Sequence, residues 1–338
     1  MKKIVSATLA VTLLATASVS GSAQAQSANE LLNVSYDIAR ELYVKINDAF
    51  VPFWKDKTGQ TVQVKQSHSG TSTQARAIME GLPADVVTFN QFLDVQVLHD
   101  KGKLIPADWQ SRLPNASSPY YSLPAFLVRP GNPKKVKDWD DLVRADVKSV
   151  FPNPKTSGNA RYTYLAAYAF ALDKSKGDHA QAQDFIKKLL ANVPVFDTGG
   201  RGSTTTFAER NIGDVLITFE AEVFAAKKEY GDKAFEIVVP SQSLLAEFPV
   251  TVIDRNVDRK GTRALATAYL EFLSSEQGQE IVAGFSNRVH HPAVLARHGG
   301  AYPPVKLVKV EDVFGGWEKA NADHFADGGI LSKVFANR

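Results

Sequence analysis

The stretch "LLNVSYDIARELY" at residues 31–43 contains the change of pattern that decides the fold. Its first part is rich in Leu and Val and predicts a β-strand ending at Ser35, whereas its second part has helical spacing and predicts a helix beginning just after Asp37. Further strands are predicted at 61–65 and 85–89, and helices at 38–54 and 73–81. Strands and helices in alternation predict an α/β fold with a mostly parallel sheet and helices on both faces.

Two apolar segments bracketed by Pro and Gly interrupt this alternation, "PYYSLPAFLVRPGNP" at 119–133 and "LAEFPVTVID" at 245–254. Between them, strands and helices alternate again at 149–151, 162–171, 214–218, 220–229 and 236–239, and further helices are predicted at 262–273 and 276–285. A self-contained α/β block between two extended crossings predicts a second open sheet joined to the first by hinge strands. Two ordinary edge strands are the alternative interpretation of these crossings.

The N-terminus has the parts of a secretory signal peptide. Lys2 and Lys3 precede an apolar run that ends near Ser18, and small residues follow as far as Ala25. This run is shorter than the about 20 apolar residues of a membrane-spanning helix, so the mature chain is expected in the periplasm without membrane insertion. The predicted organisation is a signal peptide at 1–25, a first lobe at 26–122 and 245–300, a second lobe at 123–244, and a C-terminal tail at 301–338, helical over 311–337.

The composition excludes several classes of site. The chain has 338 residues and no cysteine, which rules out disulfides, thiolate metal sites and a cysteine nucleophile. The net charge of +3 falls to +1 when Lys2 and Lys3 leave with the signal, which argues against a nucleic-acid groove. The histidines show no metal-ligand spacing, so no metal or cofactor is predicted, and the pair His290-His291 is interpreted as a surface pair. A G-x-S-x-G nucleophile elbow is also missing from the sequence.

Four predicted helix starts share one chemistry, a concentration of Gly, Ser, Thr or Asp. They comprise Ser35 to Asp37, Thr71 with Ser72, Ser157-Gly158-Asn159 within "NPKTSGNAR" (153–161), and Gly200-Arg201 within "DTGGRGSTTT" (197–206). Singly, each has the residues preferred at any helix start, and Thr71 with Gln74 has the spacing of a capping box. Together at the carboxyl ends of strands, they predict a site where backbone N–H groups and hydroxyls hold a small anion.

The side chain of Arg201 allows two interpretations. It either touches the ligand or pairs with a carboxylate behind the loop. The surrounding glycines favour the second, because they imply that the loop contacts a ligand through its backbone.

Eight strings in this order resemble the periplasmic sulfate/thiosulfate-binding proteins of ABC importers over essentially the whole mature chain. They are "LLNVSYD", "QSHSGTSTQARAI", "ADVVTF", "FLVRPGNPKKVKDWDDLV", "PNPKTSGNARYTYLAAY", "DTGGRGSTTTFAER", "GDVLITFEAE" and "LAEFPV". The segment at 99–122 and the pair Asn90-Gln91 resemble the thiosulfate-binding branch.

The resemblance implies a two-lobed periplasmic-binding-protein fold (type II) that closes on a dehydrated oxyanion. It places ligand contacts on the Asp37 amide, the Thr71 hydroxyl, Ser157, Gly158, Asn159, the Gly200 amide and Phe219, with Ser35, Ser72 and Arg201 in support. At Phe219 the sulfate branch has a tryptophan whose indole N–H donates to the ligand, so that donor is lost here. A membrane permease is the implied partner, and the receptor is expected to be a monomer.

The predicted function is therefore that of a solute receptor for thiosulfate and sulfate, without a catalytic step. The alternative is a receptor primarily for sulfate or another tetrahedral oxyanion. Phosphate ranks lower, because it keeps a proton near neutral pH and needs an acceptor, which Asp37 alone could supply. A thiosulfate sulfurtransferase is disfavoured, since a cysteine would have to carry the transferred sulfur.

Overall fold

The computed structural model describes residues 29–336, so the predicted signal peptide at 1–25 lies outside the described residues. The strands are β1 (Glu30–Tyr36), β2 (Gln63–Ser69), β3 (Val86–Thr88), β4 (Tyr120–Ser122), β5 (Pro124–Val128), β6 (Ser149–Val150), β7 (Val215–Phe219), β8 (Glu236–Val238), β9 (Gln242–Leu244), β10 (Ala246–Glu247), β11 (Val250–Val252), β12 (Arg288–Val289) and β13 (Lys306–Val308).

The helices are α1 (Arg40–Thr58), α2 (Thr71–Met79), α3 (Phe92–Asp100), α4 (Pro114–Ser117), α5 (Gly158–Lys174), α6 (His179–Ala191), α7 (Gly200–Ala208), α8 (Glu220–Tyr230), α9 (Asp254–Lys260), α10 (Arg263–Ser274), α11 (Glu276–Gly284), α12 (Pro292–His298), α13 (Val310–Phe314), α14 (Trp317–Ala320) and α15 (Ile330–Ala336). Among residues 29–336, no helix has both the length and the apolar character required to cross a membrane.

The first sheet, called here the β1 sheet, has the strand order β11-β3-β1-β2. β1 pairs in parallel with β2 and β3, and only β11 runs antiparallel, so this sheet is mostly parallel as predicted. β2 extends to Ser69, four residues beyond the predicted end at 65. The sequence of β2 is mostly polar, so its pattern predicts a strand only weakly. The strand forms because it pairs with β1 along its whole length, and not because one of its faces is apolar.

The second sheet, called here the β5 sheet, has the order β6-β7-β5-β8. Only β6 and β7 are parallel, whereas β5 is antiparallel to both β7 and β8, so this sheet differs from the mostly parallel one that the sequence predicted. The reason lies in the connection: β5 follows β4 after a single residue and therefore enters the sheet from the crossing. The two-sheet α/β fold is confirmed with this difference.

A short connecting sheet joins the two larger sheets, with the antiparallel order β10-β4-β12. β4 and β10 lie in the two predicted crossings, but β12 was not predicted, because two residues carry too little pattern. The interpretation of His290-His291 as a surface pair is wrong: both residues are half-buried beside β12, and both backbone N–H groups donate to Gln279 Oε1.

The C-terminal segment packs against α5. Its strand β13 pairs in parallel with β9, so the tail begins with a strand before the predicted helices. Trp317 then lies edge-to-face with Tyr162, with ring centroids 5.0 Å apart, and the Tyr164 hydroxyl is 3.1 Å from His324 Nδ1. This packing explains why the tyrosines of α5 are buried.

Candidate functional site

Four helical segments begin in the cleft between the β1 sheet and the β5 sheet. They are a short 3₁₀ turn at Asp37–Ala39 that leads into α1, and the first turns of α2, α5 and α7. The first three of these follow β1, β2 and β6 along the chain, as predicted, whereas α7 follows α6 with no strand between them, so the prediction that all four starts lie at strand ends is wrong for α7. The first N–H groups of a helix have no intrahelical acceptor, so each start carries free donors and a partial positive charge.

Glycines allow the two sides of the cleft to touch. A Cβ atom at Gly158 would lie 2.6 Å from Gln91 Cβ and still closer to Asn90 Oδ1. A Cβ at Gly70 would lie 3.0 Å from the Thr156 carbonyl oxygen. Real Cβ atoms do not approach as closely as at Gly158 and seldom as closely as at Gly70, so a side chain at Gly158 in particular would hold the cleft open.

Ser157 stands directly before α5 and is 3% exposed. Its backbone is extended, and its hydroxyl makes no capping hydrogen bond with the first turn of the helix. The next residues, Gly158 and Asn159, present the first N–H groups of α5. Ser157 therefore supplies a buried hydroxyl beside free backbone donors, which is the donor set expected of an anion site.

The side chain of Asn159 is engaged within its own side of the cleft. Its Nδ2 donates to Thr218 Oγ1 at 2.8 Å, and its Oδ1 is buried without a hydrogen-bond partner among residues 29–336. A Cβ at Gly200 would lie 3.5 Å from Asn159 Nδ2, so the starts of α5 and α7 are neighbours. Asn159 and Gly200 thus meet, and the free donor of Asn159 toward the cleft is its backbone N–H.

The capping box predicted for Thr71 and Gln74 is absent. Gly70 precedes α2, the Thr71 hydroxyl donates to Asp94 Oδ2 at 2.6 Å, and Gln74 Nε2 donates to the Ser35 carbonyl and to Ser67. Because a hydroxyl has a single hydrogen, the donors that α2 offers to the cleft are its first backbone N–H groups. The local preference for capping is overridden by the buried carboxylate of Asp94, which α3 places against Thr71.

Asp94 collects partners from both sides of the cleft. Besides Thr71, the Ser72 hydroxyl donates to it at 2.9 Å, and Arg161 Nη1 lies 3.1 Å from its Oδ1. The side chains of Arg161 and Asp94 are 12% and 7% exposed, so this ion pair between α5 and α3 is nearly buried. Ser35 has a different role, since its hydroxyl donates to the Thr88 carbonyl and links β1 to β3.

Asp37 and Arg201 bridge the opposite end of the cleft. The Arg201 backbone N–H donates to Asp37 Oδ2 at 3.0 Å, and the guanidinium pairs with Glu41 at 2.8 Å at the surface. Burial raises the pKa of the Asp37 carboxyl above its usual value, while backbone hydrogen bonds, that of Arg201 foremost, act in the other direction. Gly199 packs directly against this carboxylate, and a Cβ there would clash with it.

Phe219 ends β7 and belongs to an aromatic cluster beneath the cleft. It is 1% exposed, and its ring lies 4.9 Å from that of Phe248 and 5.9 Å from that of Tyr162. Tyr36 and Tyr120 also contact Phe248, at 5.4 and 5.3 Å. This cluster is shared by β1, β4 and β7 and gives the cleft an apolar floor.

Asn90 and Gln91 lie in the cleft against Gly158, although their sequence indicates only a resemblance to the thiosulfate-binding branch. Gln91 is fully buried, and its Oε1 accepts a hydrogen bond from the Asp94 N–H at 3.0 Å, while its Nε2 has no partner among residues 29–336. Both residues follow the carboxyl end of β3. Open α/β sheets bind ligands at the carboxyl ends of their strands, so the same reasoning from the sequence would have predicted Asn90 and Gln91 as site residues.

Charged groups around the cleft are mostly paired with each other. Glu222 on α8 has no ion-pair partner among residues 29–336; it is 5% exposed and accepts a hydrogen bond from the Thr204 hydroxyl at 2.9 Å. Burial raises the pKa of Glu222 to about 7, although the positive charge of Arg201 acts in the opposite direction. Within residues 29–336, no group of three or more His, Asp or Glu side chains is placed to hold a metal ion.

Comparison with known proteins places this architecture in a family. Residues 38–285 match the bacterial extracellular solute-binding proteins. The chain is 56% identical over 310 residues to the thiosulfate-binding protein of Escherichia coli, covering 91% of this chain and 92% of the relative. It is 49% identical to the sulfate-binding protein of Salmonella typhimurium, covering 90% and 92%. The solved structure of the sulfate-binding protein SubI from Mycobacterium tuberculosis superimposes with a TM-score of 0.78 at 30% identity, covering 88% of this chain and 100% of that one.

The chain therefore belongs to the bacterial extracellular solute-binding proteins, and the resemblance noted in the sequence is confirmed.

Proposed function

We propose that this protein is the periplasmic receptor of an ABC importer, that it binds thiosulfate and sulfate in the cleft, and that it delivers them to a membrane permease. The observation that carries the proposal is the buried Ser157 hydroxyl beside the free N–H groups of α5, held against Asn90 and Gln91 by Gly158. The relatives named as thiosulfate- and sulfate-binding proteins support the choice of ligand.

The division into two lobes fits the sheets. Strands of the β1 sheet come from residues 30–88 and 250–252, and those of the β5 sheet from 124–238, which supports lobes at 26–122 with 245–300 and at 123–244. The tail at 301–338 then joins the second lobe through β13. With donors on both lobes, an anion completes its hydrogen bonds only when the cleft is closed, so ligand shifts an open–closed equilibrium. The receptor acts as a monomer in this scheme.

The anion is held by neutral donors. Backbone N–H groups at Asp37, Thr71, Gly158, Asn159 and Gly200 and the Ser157 hydroxyl surround it, while Arg161 and Arg201 neutralise carboxylates rather than the ligand. Such a site suits a fully ionised sulfate-type anion. Phosphate keeps a proton near neutral pH and binds equally well only if that proton meets an acceptor, for which the Asp37 carboxylate is the candidate.

The ligand contact at Phe219 favours thiosulfate. The terminal sulfur of thiosulfate is larger than oxygen and a weaker hydrogen-bond acceptor, so it tolerates an apolar neighbour better than a sulfate oxygen does. Phe219 offers a phenyl face without a donor, next to the aromatic floor of the cleft. A sulfurtransferase reaction is not proposed, because the chain has no cysteine to carry sulfur and its relatives are named as binding proteins.

Calorimetric titration with thiosulfate, sulfate and phosphate tests the proposal. We expect thiosulfate and sulfate to bind and phosphate to bind much more weakly. Loss of one hydrogen bond to a charged group corresponds to about 1.5–3 kcal/mol, so Ser157→Ala should weaken binding roughly ten- to a hundredfold. The exposed Ser241→Ala is the matched control and should bind like the parent. Unchanged affinity in Ser157→Ala would place the site elsewhere.

A further inference from the structure

A cavity of about 260 Å³ lies beside the proposed anion site, between the two sides of the cleft. Ile38 lines it from the β1 side, and Arg201 and Phe219 line it from the β5 side. Ile38 follows Asp37 and Arg201 follows Gly200, so on both sides the cavity begins one residue beyond a proposed anion donor. Its lining therefore includes the chain neighbours of two proposed donors, together with Phe219.

The cavity has an apolar floor and an acidic wall. Phe219, Phe248 and Tyr36 form the floor, and Glu41, Glu222 and Glu229 contribute to the wall. The one cation of the lining, Arg201, pairs with Glu41, and its charge also acts on Glu222, so the three carboxylates outnumber it. This combination accepts an alkyl group on one side and a positive charge on the other.

Glu222 gives the acidic wall its specificity. One carboxyl oxygen accepts from Thr204, while the other has no hydrogen-bond partner, and the group has no ion-pair partner, among residues 29–336. A carboxyl group that is 5% exposed gains strongly from a cation placed against it, because burial removes the water that would otherwise solvate its charge. Burial also raises its pKa to about 7, so the group is mainly ionised at pH 8.

We propose that this cavity is a subsite for the substituent of an S-substituted thiosulfate whose short alkyl chain ends in an ammonium group. The inference rests on the proposed function, since the sulfonate end occupies the anion site, the chain leaves from the sulfur past Phe219, and the ammonium meets Glu222. An aminoethyl chain has three heavy atoms and displaces about three waters, roughly 90 Å³, which the cavity accommodates. A chain ending in a carboxylate is repelled by the same wall.

The test is calorimetric titration at pH 8 with thiosulfate, S-ethyl thiosulfate and S-(2-aminoethyl) thiosulfate. In the parent, the aminoethyl compound should bind ten- to a hundredfold tighter than the ethyl compound, as expected for a charged hydrogen bond. Glu222→Gln should remove this difference and leave thiosulfate affinity within about threefold. Glu229→Gln, at an exposed position of the same wall, is the matched control and should keep the difference.

A second variant tests whether the substituent needs the volume of the cavity, independently of the charge of Glu222. Ala221 lines the cavity, so Ala221→Leu should exclude both substituted compounds while thiosulfate still binds. The inference is overturned if the parent binds thiosulfate but not the aminoethyl compound, or if Glu222→Gln weakens all three ligands equally. Failure of thiosulfate itself to bind the parent would instead refute the proposed function, and this inference with it.

Discussion

The close approach across the cleft at Gly158 leads to a sharp prediction for Gly158→Ala. The added methyl carbon would lie 2.6 Å from Gln91 Cβ, whereas carbon atoms in contact stay about 3.5–4.0 Å apart. Relief of this overlap requires the two sides of the cleft to separate by about 1 Å. Hydrogen bonds of about 2.9 Å from one side to the anion would lengthen to about 3.9 Å and be lost.

The expected loss of affinity is large. If one or two charge-assisted hydrogen bonds are lost at about 1.5–3 kcal/mol each, thiosulfate binding should weaken by at least tenfold and by roughly a hundredfold or more when both go. The fold itself should not suffer, because Gly158 is the first residue of α5 and the nearest atoms to the added methyl group belong to Asn90 and Gln91 across the cleft. The variant should therefore melt at or near the temperature of the parent in the absence of ligand.

Titration calorimetry with thiosulfate and thermal melting, measured on the same preparations, check both parts. Gly284→Ala is the matched control, because a Cβ at Gly284 meets no atom within 4 Å. If Gly158→Ala binds thiosulfate within about twofold of the parent, the contact of Gly158 with Asn90 and Gln91 is not part of the bound state, and the reasoning fails.

Three further predictions concern specificity, closure and pH. Phe219→Trp introduces an indole N–H, from which a sulfate oxygen accepts a hydrogen bond better than a sulfur atom does. The ratio of sulfate affinity to thiosulfate affinity should therefore rise by roughly tenfold or more. An unchanged ratio in parallel titrations would mean that discrimination between the two anions arises elsewhere. Small-angle scattering should show a smaller radius of gyration with saturating thiosulfate, and equal values with and without ligand would count against two mobile lobes. The pKa of Glu222 is raised to about 7 from an ordinary value of 4.5, so the native state holds this proton more tightly than the unfolded state does. The resulting stability is fully present below about pH 4.5 and is lost as the pH rises through 7. Urea unfolding should therefore show the parent losing about 3 kcal/mol relative to Glu222→Gln between pH 4.5 and 8, and parallel pH profiles would contradict this.

The sequence predicted the parts of this molecule that depend on local pattern. The strand before Asp37 and the helix starts at Gly158 and Gly200 lie within a few residues of their predicted positions, because Gly and Ser are strongly preferred just before a helix. The proposal for the anion site rests on these same starts.

The remaining features depend on residues far apart in the chain. Thr71 and Gln74 have the spacing of a capping box, yet the Thr71 hydroxyl donates to Asp94, which is 23 residues away. No local sequence pattern identifies Asp94 as the acceptor. The antiparallel direction of β5 and the short strand β12 follow from how the two sheets are joined, and a periodicity of apolar residues contains no information about that.

The pairing of β11 and β13 also sets the order in which the chain can fold. β11, at residues 250–252, forms the edge of the sheet that begins with β1, and β9 lacks its parallel partner until residues 306–308 are available. A chain that emerges from its N-terminus first therefore cannot complete either half until most of its length has appeared, since contacts distant in sequence form late. Late completion of both sheets suits the export to the periplasm that the proposed function requires.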